Sequence, residues 1–140
     1  MEEMIFSGKV LPGKHLGHKL GFPTANLVLQ GEKPALAHGV YAAWVTLADG
    51  TRHPAVVNLG VRPTVEERGD LWAESYLLDF EGDLYGEDIT VQLCRFLRPE
   101  QHFESLDALK QAIVRNVGET RVLLCPAKSP DADSKANRDT

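Results

Sequence analysis

Cysteine is scarce in this 140-residue chain: Cys94 and Cys125 are its two, and neither belongs to a metal-ligand or redox spacing. That excludes a disulfide scaffold and a zinc module, and one pair of thiols is weak support for secretion. Long apolar runs are missing too, so no segment approaches the roughly 20 residues that span a bilayer. The N-terminus, Met1-Glu2-Glu3-Met4, has neither the basic start nor the apolar core of a secretory signal. A cytoplasmic protein with no membrane partner is expected. Positive charge is in deficit, with 15 Lys and Arg against 20 Asp and Glu for a net charge of −5. A broad nucleic-acid footprint normally needs a basic face, so a nucleic-acid partner is not expected. Familiar phosphate loops are absent as well: no Gly-Lys-Ser/Thr stands at Walker spacing, and no protein-kinase glycine signature occurs.

What is present suits one globular domain, since the chain is 43% hydrophobic and 25% charged and is long enough for a single core. Residues 5–11, 39–47, 52–59, 71–80 and 89–97 read as strands, with Asp49-Gly50 as a hairpin turn between the second and third. One strong helix begins after Ser105 as N-cap, with Asp107 in its first turn. Leu106, Leu109, Ile113, Val117 and Leu124 recur at helical spacing and predict a buried stripe, which Gly118 should weaken. Residues 125–140 are polar and aperiodic, so a mobile tail is expected after a domain spanning 1–124. Short strands, frequent turns and a late helix predict a mainly β fold: a small closed antiparallel barrel with one helix packed outside.

The most telling stretch is Gly21-Phe22-Pro23-Thr24-Ala25-Asn26. Proline disfavours helix, and in an extended segment Thr24 and Asn26 point the same way. A hydroxyl and an amide carbonyl aimed at one point are hard, neutral ligands that suit Mg²⁺ bound to phosphates. The competing explanation is a Pro-Thr turn in which Asn26 stabilises its own backbone. Upstream, Lys9, Lys14, His15, His18 and Lys19 fall within a short glycine-containing segment in which Gly13 and Gly17 bracket a basic turn, with the make-up either of an anion-receiving loop or of a surface hairpin. Glu74 shares its strand face with Trp72, Tyr76, Leu78 and Phe80. Desolvation there would raise its pKa toward the range of a general base, unless the carboxylate reaches solvent or pairs with an Arg. Further on, the loop after Leu97-Arg98-Pro99 carries Gln101 and Phe103, residues able to contact an aromatic ligand or simply to connect strand and helix.

Taken together with Gly39-Val40-Tyr41, Asn58-Leu59-Gly60-Val61-Arg62-Pro63-Thr64, Leu77-Leu78-Asp79-Phe80, Asp83-Leu84-Tyr85-Gly86 and Leu97-Arg98-Pro99-Glu100, these motifs resemble, in order and spacing, the riboflavin kinase family, from about Phe6 to Leu124. The resemblance implies a six-stranded barrel, ATP as phosphate donor and Mg²⁺ held at Thr24 and Asn26, with Zn²⁺ or Mn²⁺ as substitutes. It also implies Glu74 as catalytic base; Gly13, His18, Pro23, Thr24, Leu77, Asp79 and Tyr85 around ATP; and Arg98, Gln101 and Phe103 around riboflavin or FMN. The motif from Asn58 to Thr64 takes a structural or a substrate-loop role, left open here. Three positions depart from the family pattern: His18 where Arg is usual, Tyr76 where His is common, and Asn116 where Asp is typical. They motivate an alternative, a flavin-binding or regulatory module with little catalysis; an oligonucleotide-binding barrel finds no basic aromatic face. A monomer is expected. Many bacterial relatives fuse this domain to an FMN adenylyltransferase, and since the chain starts just before its first strand that second activity is not expected.

Overall fold

The structure is a computed structural model that describes residues 4–11, 23–29, 37–62 and 70–124. Six strands carry the fold: β1 (Met4–Lys9), β2 (Ala25–Leu29), β3 (Gly39–Leu47), β4 (Arg52–Arg62), β5 (Asp70–Leu77) and β6 (Asp88–Pro99). They form one antiparallel sheet in the order β1-β6-β3-β4-β5-β2. The sheet curls until its edges meet, where the Leu11 N–H donates to the Asn26 carbonyl at 2.8 Å, so the barrel is nearly closed. The mainly β barrel expected from the sequence is thus observed. Its sixth strand, β2, is the one that strand periodicity did not mark, because it is five residues long and opens within the Pro-Thr-Ala-Asn run.

Alternation explains the interior. Leu27, Val45, Val57, Leu59 and Val91 are at most 1% exposed and point into the barrel, each such side chain contributing about 1.5–3 kcal/mol by leaving water. The β3–β4 hairpin closes at Gly50, whose φ of 92° is the left-handed conformation that the Asp-Gly pair supplies. Asp49 holds that turn by accepting from the Thr51 N–H at 2.9 Å. Between β3 and β6 the register shifts twice, leaving Cys94 and Leu97 out of the pairing. Such bulges bend and twist a strand, which lets β6 wrap the barrel. Gly39 opens the β3–β6 ladder opposite Pro99: its φ is 156°, and a Cβ there would run into the Arg98 carbonyl oxygen.

Strand β5 is shorter than its pattern predicts. It ends at Leu77 instead of Phe80, because Asp79 turns the chain with a φ of 59°. Both Asp79 carboxylate oxygens accept from Arg121, at 2.8 and 2.9 Å.

Helix α1 (Leu106–Leu124) packs outside the barrel. Ser105 caps it as predicted, its hydroxyl accepting from the Ala108 N–H at 3.0 Å. Gly118 does not interrupt it, and the face nearest the sheet is not the predicted aliphatic stripe. Ala112, Asn116 and Thr120 are the buried residues, while Leu106 is 55% exposed. Small side chains at i, i+4 and i+8 let the helix lie close over β3 and β4, with Val117 packing beside Val40, Val56 and Leu78.

Candidate active site

The strand register assembles the site. Read across the sheet from β2, Asn26 faces Glu74 on β5, Glu74 faces Asn58 on β4, Asn58 faces Val40 on β3, and Val40 faces Arg98 on β6. Directly opposed residues share one face of a sheet, with Cβ atoms about 4.5–5.5 Å apart. This row lies on the outer surface of the barrel, and at its β3–β6 end Val40 packs beside Val117 of the helix while Arg98 bonds to Asn116. Its inward-pointing neighbours Ala25, Ala73, Ser75, Val57 and Leu59 are buried in the interior.

At one end of the row Thr24 and Asn26 converge. The Thr24 hydroxyl donates to Asn26 Oδ1 at 3.2 Å, and the Asn26 amide turns back to the Thr24 carbonyl at 3.3 Å. The Asn side chain therefore does stabilise its own backbone, as the turn explanation held, yet it also sets both oxygens side by side. Among the described residues no cluster of His, Cys, Asp or Glu forms a metal cage. Two adjacent neutral oxygens fit a Mg²⁺ ion that takes its other ligands from phosphates and water.

Glu74 is half-buried, between half-buried Trp72 and Tyr76 along β5. The sequence placed it on an apolar, aromatic face, and the structure adds what the sequence did not: the flanking polar residues, Asn26 on one side and Asn58 on the other, come from two other strands.

At the other end of the row a cavity of about 770 Å³ opens between β6 and the start of the helix, with Val40, Asn58, Arg98, Gln101, Phe103 and Leu109 in its walls. All three predicted flavin residues meet there. Its size and its mixture of apolar walls with a few polar groups suit a single small aromatic ligand. Arg98 is pinned: its Nε donates to Asn116 Oδ1 at 3.0 Å, and its guanidinium stands 5.3 Å from the centre of the Phe103 ring. The Asn116 amide in turn donates to Glu119 at 2.9 Å. Burial pushes the Arg98 pKa down from its ordinary value, Arg115 nearby adds to that, and Glu119 opposes it; guanidinium remains charged under such pressure. The sequence marked Asn116 only as a departure, although a polar residue inside a helical stripe was a sign that it held a partner.

Of the predicted nucleotide residues that are described, Pro23, Thr24 and Tyr85 lie toward the Asn26 end of the row. Pro23 is exposed and directly precedes Thr24. Tyr85 is 62% exposed in the turn before β6. That turn joins the same junction as Asn26, because the Gly86 N–H donates to the Val10 carbonyl at 3.0 Å while the Leu11 N–H donates to Asn26. Two of these residues are otherwise engaged: the Leu77 side chain is 5% exposed in the barrel core, and Asp79 is paired with Arg121. That pairing is the leading reason the Asp79 pKa lies below its ordinary 3.8. Gly13 and His18 fall outside the described residues.

The family model and the curated relatives point to one family. The sequence model of the flavokinases, described as riboflavin kinase, matches residues 1–124. A bifunctional riboflavin kinase/FMN adenylyltransferase of Pseudomonas fluorescens is 46% identical over 86% of this chain and 38% of its own length. A Bacillus subtilis protein named as an RNA-binding riboflavin kinase is 39% identical over 81% of this chain and 48% of its own. The chain thus spans less than half the length of these curated relatives. The crystal structure of riboflavin kinase from Trypanosoma brucei superimposes with a TM-score of 0.67 at 25% identity, covering 91% of this chain and 84% of that one.

Proposed function

The chain belongs to the flavokinase family, the riboflavin kinases, and on that premise we propose that it transfers the γ-phosphoryl group of ATP to the 5′-hydroxyl of riboflavin, giving FMN and ADP. One observation carries the proposal: the register sets Glu74 between the Thr24–Asn26 oxygen pair and the cavity of Arg98 and Phe103. Phosphoryl transfer needs a donor side, an acceptor side and a proton acceptor between them, and little other covalent work from the protein.

In this reading the cavity takes the flavin ring, with Phe103 and the Arg98 guanidinium against it. The ribityl chain runs back along the row toward β5. Glu74 accepts the proton of the 5′-hydroxyl as that oxygen attacks in line, which contributes about 10²–10⁴-fold in rate. Thr24 and Asn26 would hold Mg²⁺, which when bound would neutralise charge on the ATP phosphates. Pro23 and Tyr85 border the nucleotide, and Gly13 and His18 are its further proposed contacts. Holding both substrates on one rigid sheet supplies the orientation that makes the step effectively unimolecular. No helix among the described residues is long and apolar enough to cross a membrane. A cytoplasmic monomer with no nucleic-acid partner is the setting proposed for this activity.

The test is FMN formation from riboflavin and Mg-ATP, followed by chromatography. Product should form in the parent protein, nearly vanish in Glu74→Gln while riboflavin still binds, and fall in Thr24→Ala mainly through poorer use of Mg-ATP. Flavin binding without product in the parent protein would instead establish a regulatory flavin-binding module.

A further inference from the structure

Between Glu74 and the cavity one polar side chain intervenes, and it is Asn58. It stands directly across from Glu74 on β5 and from Val40 on β3. It is exposed and lines the cavity, so it touches both halves of the site. Along the same face of β4 the preceding outward residue, Val56, is 8% exposed beneath the helix. Asn58 is the first outward position on β4 beyond that cover. A structural role there would favour a β-branched or aromatic residue able to pack on its cross-strand neighbours. An asparagine is a poor strand former, and this one is not buried against anything that explains it.

The span of the row gives it a task. From Glu74 to Arg98 there are three interstrand steps, about 14 Å along the sheet. A tricyclic ring bearing a pentitol chain is of that length. With the ring beside Arg98 and the terminal hydroxyl at Glu74, the middle hydroxyls of the chain pass over β4. We propose that the Asn58 amide holds the ribityl chain by hydrogen bonds to its inner hydroxyls, and so sets the 5′-hydroxyl at Glu74 and distinguishes ribityl flavins from flavins lacking the polyol. An amide suits this, since it both donates and accepts and can pair with a hydroxyl in either sense. It also adds no charge beside Glu74. The proposal rests on the riboflavin kinase reading and extends it from the reacting ends of the ligand to the chain between them.

The experiment measures dissociation constants of riboflavin and of lumiflavin, which keeps the ring and replaces the ribityl chain by a methyl group. Flavin fluorescence follows binding to the parent protein and to Asn58→Ala and Asn58→Ser, with unfolding temperatures as a check on the fold. The parent should prefer riboflavin. Asn58→Ala should weaken riboflavin binding about tenfold, the loss of roughly one hydrogen bond, and leave lumiflavin binding unchanged, while Asn58→Ser recovers part of the difference. Equal weakening of both ligands would mark Asn58 as structural and overturn the proposal, as would no change for either. A parent protein that binds neither flavin overturns the kinase reading itself, and this inference with it.

Discussion

Along β4 and β5 the inward residues Ala55, Val57, Leu59, Leu71, Ala73 and Leu77 are at most 5% exposed, whereas their outward neighbours Asn58, Glu74 and Tyr76 are half-buried or exposed. Successive side chains of a strand point to opposite faces, so one peptide unit separates the two environments. The inner face is almost wholly aliphatic and holds the barrel together. On the outer face polar groups from β2, β5, β4 and β6 line up in one row, made neighbours by register rather than by sequence. A barrel of this kind separates stability from chemistry by alternation: substitutions on the outer row should change what the protein does, and those on the inner face whether it folds.

The sharpest test of that division sets Glu74→Gln against Leu59→Ala. The first should lower turnover by about 10²–10⁴-fold, equivalent to roughly 3–5 kcal/mol of transition-state stabilisation, with the unfolding temperature nearly unchanged. The second empties a site in the core that is 0% exposed and should cost about 2–5 kcal/mol of folding stability. Its flavin affinity, measured well below the unfolding temperature, should match the parent's. A large loss of stability in Glu74→Gln, or of flavin affinity in Leu59→Ala, would show the two faces to be coupled.

The helix interface is where the division blurs, since a polar residue there has no chemical task. Thr120 is 0% exposed and its hydroxyl finds no partner, while Asn116 one turn earlier is fully engaged with Arg98 and Glu119. An unsatisfied buried hydroxyl costs about 1–3 kcal/mol, and valine has the same shape without it. Thr120→Val should therefore raise stability by about 1 kcal/mol, a few degrees in unfolding temperature, with FMN formation unaltered. A lower unfolding temperature would mean that the hydroxyl is used after all.

How much of this was legible in the chain follows from how far apart the cooperating residues lie. Local signals held: the Asp49-Gly50 turn, the Ser105 cap, the alternation that put Glu74 on an outward face, and the two-residue spacing that joined Thr24 to Asn26. The long-range arrangement did not show, because periodicity names the face of a residue and not its neighbour on the next strand. Nothing in the sequence said that Asn58 and Asn26 flank Glu74 from opposite sides. The helix misled for a different reason. Its large apolar residues were the obvious stripe, yet close packing on a sheet is achieved by the small ones, Ala112 and Thr120, with Asn116 turned to Arg98. Strand β5 ended early because a long-range pair, Asp79 with Arg121, holds a turn where the residue pattern alone would run on.

That pair gives the smallest effect and the most specific one. Arg121 holds the Asp79 carboxylate below its ordinary 3.8, so the interaction stabilises the fold at pH values above the unfolded-state pKa of about 3.9 and is lost as pH falls through the lower folded-state value. Asp79→Asn keeps a residue that tolerates the left-handed backbone at φ 59° while removing the charge. The parent should thus unfold at a slightly higher temperature than Asp79→Asn at pH 7, and the gap should close below about pH 4. Because both partners are largely exposed, with side-chain exposures of 47% and 64%, added salt should narrow the gap even at pH 7. A gap that persists at both low pH and high salt would mean that the turn, and not the ion pair, sets the end of β5. In that case the Asp79 carboxylate would be free to serve the nucleotide side of the outer row, and its loss would appear in the use of ATP rather than in stability.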